Sequence, residues 1–264
     1  MEMVAGSKMR KAQNAALAGR PYALELEHLI QDLTNYTKGQ LEHPFFKSKE
    51  DSKPRKILFV LFTTDRGLCG GFNSNVIRHL MQRELAKETE KAVICVGQKG
   101  FNFLKHTGVE VIADFANFGD KPGFLATTPI TRLIREEFFR FSEVRLIYNH
   151  FVNTMTQQAT EKTVLPFRFN LGQTAITPRE FIFEPSPQLV LNRLLPRYLE
   201  TIIYQTLLES IASEQSARMV AMKSATENAG ELIDTLTLEF NKARQANITT
   251  EISEITGGAE ALKN

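Results

Sequence analysis

The residues best placed for chemistry are Asp65-Arg66-Gly67-Leu68-Cys69-Gly70-Gly71, a glycine-rich run directly after the apolar block Ile57–Thr63. Between a strand and a helix, such a run is where α/β proteins hold phosphates on glycine amides and a helix N-terminus. The details do not fit. The run is neither G-x-x-x-x-G-K-[ST] nor G-x-G-x-x-G: no lysine is present for the phosphates and the glycines are misspaced. A tight exposed loop whose glycines permit positive φ accounts for the same letters. Cys69 beside Arg66 has the setting of an activated thiol, yet no histidine or acid in the sequence marks a base with its orienting partner. A structural cysteine is the simpler reading. His28, His43, His79, His106 and His150 show no i, i+4 pairing and no nearby cysteine pair, so no metal site is expected. Glu136-Glu137 reads as a solvated helix surface. No catalytic group and no cofactor is expected from these residues.

The elements that carry this loop alternate in type. Ile57–Thr63, Ala92–Val96, Val109–Ile112 and Val144–Phe151 read as strands. Ser74–Lys87, Lys99–His106 and Pro129–Phe141 read as helices between them. Strand–helix alternation at this spacing predicts a small Rossmann-like parallel-sheet α/β domain over roughly 55–166. An irregular link, Phe167–Pro187, follows with Pro178, Pro185 and Pro187.

The two ends of the chain obey a different period. All 10 prolines lie at or before Pro196, and from Arg197 to Thr256 only Gly230 interrupts a run of helix formers. Pro196 suits a first turn and Gly257-Gly258 a stop, which predicts a helix of roughly 60 residues. Its apolar stripe, Ala225, Ala229, Leu232, Leu236, Phe240 and Ala243, passes through Gly230 without a break. At the N-terminus Ala5, Met9, Ala12, Ala16, Gly19, Ala23, Leu26, Ile30 and Leu33 alternate steps of 4 and 3, a heptad pattern that Pro21 is expected to bend. The expected architecture is therefore a long antiparallel coiled coil of the terminal helices plus the α/β domain. Its boundaries are 1–54 for the N-terminal helix and link, 55–187 for the α/β domain and connecting segment, and 188–264 for the C-terminal helix.

Composition narrows the class. The longest apolar run, Ile57–Phe62, is far short of the roughly 20 residues that span a bilayer. Met1-Glu2-Met3-Val4 leads into no apolar block, so no secretory signal is expected. Cys69 and Cys95 cannot form a disulfide framework. A net charge of +2 is too mild to demand nucleic acid, and the basic residues Lys8, Arg10, Lys11, Arg218, Lys223, Lys242 and Arg244 lack aromatic interleaving. They read as a solvated face or as the complement of an acidic protein collar.

The run Ile248–Ala261, ITTEISEITGGAEA, resembles the C-terminal signature of the gamma subunit of F-type ATP synthases, bacterial members above all. Met1–Gln13, Thr64–Gly71 and Ser213–Thr226 resemble the same family in the same order. The resemblance implies a rotor shaft threading a ring of alpha and beta subunits, with the α/β domain beside an epsilon subunit on a ring of c subunits. It implies peripheral attachment, through the complex, to the cytoplasmic face of a bacterial membrane, and no catalytic role for the chain itself. Carried over by position, Arg244, Gln245, Thr249 and Glu251 would meet a catch loop on one beta subunit. Asp65, Arg66 and Cys69 would face the acidic collar. Phe183-Glu184-Pro185 stands where many relatives have Tyr-Glu-Pro, so Phe183 and Glu184 would form the foot contact with epsilon and the c-ring. Members usually begin several helical turns upstream of the MEMVA segment, so part of the N-terminal helix is expected to be absent. From the residues alone, the competing reading is an α/β nucleotide-binding enzyme with a coiled-coil dimerisation arm, and a third is a coiled-coil scaffold with an inert globular spacer.

Overall fold

The structure, a computed structural model, describes residues 1–37, 40, 42–46, 56–85, 90–168 and 183–261. Six consecutive buried residues in β1 (Lys56–Phe62) make it the centre of a five-stranded sheet. Alternation sends Ile57, Phe59 and Leu61 to one face and Leu58, Val60 and Phe62 to the other, and each set joins a different core cluster. The order is β3-β2-β1-β4-β5, with β2 at Glu90–Val96, β3 at Glu110–Phe115, β4 at Glu143–Phe151 and β5 at Gln157–Leu165. β1 pairs parallel with both β2 and β4, and β2 with β3.

The sheet is parallel as expected except at one edge, where β5, a strand the sequence reading did not include, runs antiparallel to β4. Its sequence, QQATEKTVL, is mostly polar because a half-exposed edge strand needs few apolar residues. β3 extends to Phe115, beyond the predicted Ile112. α2 (Phe72–Leu85), α3 (Gln98–Leu104) and α4 (Thr128–Glu137) fall on the three predicted helices, shifted by a few residues at their ends. Most of the predicted link between Phe167 and Pro187 lies outside the described residues.

α1 (Glu2–Tyr36) follows its predicted stripe: Ala5, Met9, Ala12, Leu26, Ile30 and Leu33 are buried, and Ala16, Gly19 and Ala23 are half-buried. Pro21 lies inside this helix on its exposed side, so the lost hydrogen bond is on the solvent face. α5 (Pro187–Ala261) starts well before Pro196, the predicted first turn, and close to the 188 boundary given to the C-terminal segment, and it continues through Gly257-Gly258. Pro187, not Pro196, occupies its first turn. Pro196 is interior, where the fully buried Leu191, Leu195, Leu199 and Ile203 hold the helix against the core despite the missing N–H.

Two compact units divide α5 after Val220. In the first unit α1 and α5 run antiparallel: Gly6 lies against Met219 and Gly19 against Gln205, while Arg197 Nε donates to Tyr22 Oη at 3.3 Å. Both helices and α4 cover one sheet face, and α2 and α3 cover the other. In the second unit every residue from Lys223 to Glu260 is exposed, Leu232, Leu236 and Phe240 by more than half. The predicted Ala225–Ala243 coil stripe is therefore present as a pattern but not as a packed seam. A period identifies an apolar face; it does not supply the surface that covers it.

Candidate functional site

The Asp65–Gly71 loop leaves β1 at the carboxyl end of the sheet, beside the point where the strand order reverses between β1 and β4. A doubly wound sheet ordinarily binds ligands there. Here the chain fills the place itself. Asp65 Oδ1 accepts the Gln98 N–H at 3.1 Å and Oδ2 accepts the Asn117 N–H at 2.8 Å, so one carboxylate ties together the loops after β1, β2 and β3. α5 crosses the reversal point: Ser216 Oγ donates to the Thr154 carbonyl in the β4–β5 hairpin at 2.7 Å, and Arg218 Nη2 donates to the Gly67 carbonyl at 3.3 Å. Arg218 is also paired with Glu214 at 2.7 Å. The Gln98 and Asn117 amides that edge the reversal point serve Asp65, and α5 lies across the Gly67 carbonyl, so this end of the sheet is occupied by the chain itself.

The rest of the loop is held by polar contacts that bury rather than present it. Thr64 N–H donates to Asn73 Oδ1 at 3.0 Å, and Asn73 Nδ2 donates to Thr64 Oγ1 at 2.8 Å and to Cys69 Sγ at 3.4 Å. Thr64 Oγ1 in turn donates to the Arg66 carbonyl at 2.6 Å. Cys69 is 3% exposed and burial pushes its thiol up, which keeps it protonated and makes it an anchor of the loop rather than a nucleophile. Asp65 is half-buried and committed to two amides. Of the three predicted loop contacts, Arg66 alone presents its side chain to the surface. Glu214, mostly buried, is pushed up by desolvation, with the Arg218 guanidinium opposing the shift.

A second set of contacts fixes α5 to the sheet and to α1. Glu209 meets His150 Nδ1 of β4 at 2.6 Å and lies 4.0 Å from Arg20 Nη2 of α1. Arg197 stacks 4.1 Å over the Phe124 ring, and Tyr204 Oη donates to the Pro122 carbonyl at 3.2 Å. Sequence reasoning read Arg218 as part of a solvated face or of the complement of an acidic collar; in the structure its side chain is 14% exposed and turned onto the loop. The available signal was the Glu214–Arg218 i, i+4 spacing; which loop it reaches is a tertiary fact.

The remaining predicted residues lie apart from the loop. Arg244, Gln245, Thr249 and Glu251 are exposed on α5 in the second unit, with Thr249 Oγ1 donating to the Gln245 carbonyl at 2.8 Å. Gln245 and Thr249 thus share a helix face. Phe183 is half-buried, its ring 5.2 Å from that of Tyr36, and Glu184 is exposed. Among the described residues no helix is long and apolar enough to cross a membrane, and no cluster of potential ligands could hold a metal ion.

A family profile described as ATP synthase matches residues 1–262. The ATP synthase gamma chain of Dehalococcoides mccartyi is 42% identical over 268 residues, covering 99% of this chain and 92% of the relative. That of Desulfitobacterium hafniense is 41% identical over 266 residues, covering 100% and 92%. Among solved structures, the central stalk and c-ring of the Tetrahymena thermophila mitochondrial ATP synthase contains a chain similar at TM-score 0.68 and 25% identity, over 86% of this chain and 97% of that one. A chain of the Euglena gracilis mitochondrial enzyme shares the fold at TM-score 0.62 and 17% identity, over 99% and 94%. With the terminal-helix pair, the sheet and the loop in the order of its motifs, the chain belongs to the ATP synthase gamma chain family.

Proposed function

We propose that this chain is the central rotor stalk of an F-type ATP synthase, passing torque between a proton-driven c-ring and a catalytic ring of alpha and beta subunits. The observation that carries this reading is the second unit. It is a helix exposed on every side from Lys223 to Glu260, with Leu232, Leu236, Phe240, Ile252 and Ile255 all more than half accessible. Unpaired apolar groups spread around a helix suit a shaft enclosed by other subunits. In this reading the chain catalyses nothing. It makes different contacts with each beta subunit and so shifts their conformational populations in turn. Reversing a 1:99 population takes ~5.5 kcal/mol of differential binding, within reach of a few packed and charged contacts.

Arg244, Gln245, Thr249 and Glu251 are assigned to a catch on one beta subunit, Arg66 to its acidic collar with Asp65 and Cys69 holding the loop, and Phe183 and Glu184 to the foot at epsilon and the c-ring. The complex, and with it this chain, would sit at the cytoplasmic face of a bacterial membrane. The test is turnover of the reconstituted enzyme carrying Arg244→Ala, Gln245→Ala, Thr249→Ala or Glu251→Ala. Gln245→Ala and Glu251→Ala are expected to lower both ATP synthesis and hydrolysis with assembly unchanged, and added salt to mimic the charge losses in part through screening within ~8–10 Å. Parental turnover in all four variants would contradict the catch and leave the shaft acting by shape.

A further inference from the structure

A cavity of about 670 Å³ opens between the first turns of α1, the loop after β1, the loop after β3 and the 214–218 turn of α5. That volume lies within the range of small-molecule sites. Four observations converge on it. Gln215 lines the cavity and is 4% exposed, yet its side-chain amide makes no hydrogen bond among the described residues. Its amide atoms are not among the enclosed polar atoms that lack a partner, so they open into the cavity, where their donor and acceptor can meet a ligand. Leu68 (φ 64°) and Asn117 (φ 63°) are the only non-glycine residues with left-handed backbone among those described, and both line this space. Backbone strain of that kind concentrates at binding sites.

The charges decide the sign of the ligand. Lys8 is paired with Asp120 at 2.6 Å, Arg218 with Glu214 at 2.7 Å, and the Asp65 carboxylate is satisfied by two backbone amides. Arg66 is the remaining lining side-chain cation, exposed and without an ion pair among the described residues. A guanidinium with its fork free suits a carboxylate. Met1, Val4 and Leu68 supply an accessible apolar wall. We propose that this cavity binds a small amphiphilic acid of the N-acyl amino acid class, its carboxylate on Arg66, its amide on Gln215 and its short apolar body against Met1, Val4 and Leu68. Arg66 is also the residue that the rotor reading gives to the collar, so the cavity is tested on the isolated full chain, away from the beta subunits.

The probes are N-acetyl-L-leucine, N-acetyl-L-leucinamide, which lacks the charge, and 4-methylpentanoate, which lacks the amide, each titrated calorimetrically at neutral pH. N-acetyl-L-leucine is expected to bind saturably and each of the other two about tenfold more weakly, the cost of losing one charged or buried polar contact. Arg66→Gln should abolish the preference for the acid over the leucinamide while leaving the preference over 4-methylpentanoate. Arg66→Lys should restore part of the former. Gln215→Leu should abolish the preference over 4-methylpentanoate alone. Arg66 is exposed, so its variants fold and test the proposal even where Gln215→Leu does not. Three results would overturn it: no saturable binding at about 10 mM, the weak end of specific affinity; equal affinity for all three probes; or an affinity for the acid that Arg66→Gln leaves unchanged, as binding along the exposed helix would give.

Discussion

Gly97 follows β2 at φ 102°, and a β-carbon there would lie 2.3 Å from the Thr63 carbonyl oxygen. Neither atom can move cheaply, because the Thr63 backbone N–H is bonded to Val96 and its hydroxyl accepts the Gly100 N–H at 3.0 Å. Gly97→Ala should therefore cost ~2–4 kcal/mol, the sum of backbone strain and a hard clash, measured as a loss of urea stability. Cys95 gives a pH prediction. Burial, helped by the nearby Asp114 charge, pushes its thiol from the ordinary 9.0 to about 12. Between those values the unfolded chain has released the proton and the native chain has not, so stability falls as pH rises through the window. Cys95→Ala should flatten the decline in melting temperature between pH 9 and 11; an unchanged slope would assign that decline to other groups, such as Tyr148, raised to about 12. Residue roles of this kind were only partly legible. The glycine-rich loop announces itself in sequence, but the Asp65 carboxylate bonds partners 33 and 52 positions away and the Gln215 amide faces a cavity walled by distant segments, beyond the reach of local spacing.

The elements were more legible, because each follows from a period. α1 keeps its nine-residue stripe to the core, and the register of that stripe can be tested. Ala12 is 3% exposed within the main cluster, so Ala12→Leu should overpack the contact with α5 at ~1–3 kcal/mol. A variant that melts with the parent would mean the stripe is displaced. β5 escaped notice because its exposed positions are Gln158, Lys162 and Thr163 and the inward Glu161 is held by Arg145, leaving too few apolar residues for an alternation signal. The start of α5 was misplaced for the opposite reason. Pro196 looked like a boundary by propensity, while four leucines and isoleucines spaced through Leu191–Ile203 bury enough surface, at ~1.5–3 kcal/mol per side chain, to carry the helix past a ~3 kcal/mol proline. Tertiary burial overrides a local breaker here.

At the scale of the whole chain, the sheet, α1, α4 and the first part of α5 share one core, and Arg218, Ser216 and Glu209 tie the helix to the sheet's carboxyl-end loops and strand β4. Those ties make the first unit one body, as a part that receives torque must be. The exposed second unit carries the Arg244–Glu251 run and most of the family's C-terminal signature. Membership in the family was legible from that signature and three further motifs, because they are contiguous stretches; what the shaft touches is not encoded in any single stretch. The central claim, that this chain turns inside the enzyme, has a direct test. The chain, tagged on its α/β domain and assembled with the alpha and beta subunits of its own enzyme fixed to a surface, is watched during ATP hydrolysis by single-particle imaging. Sustained rotation of the tag in one direction, stopping when ATP is withdrawn, is the predicted result; hydrolysis at full rate with the tag stationary would contradict the account.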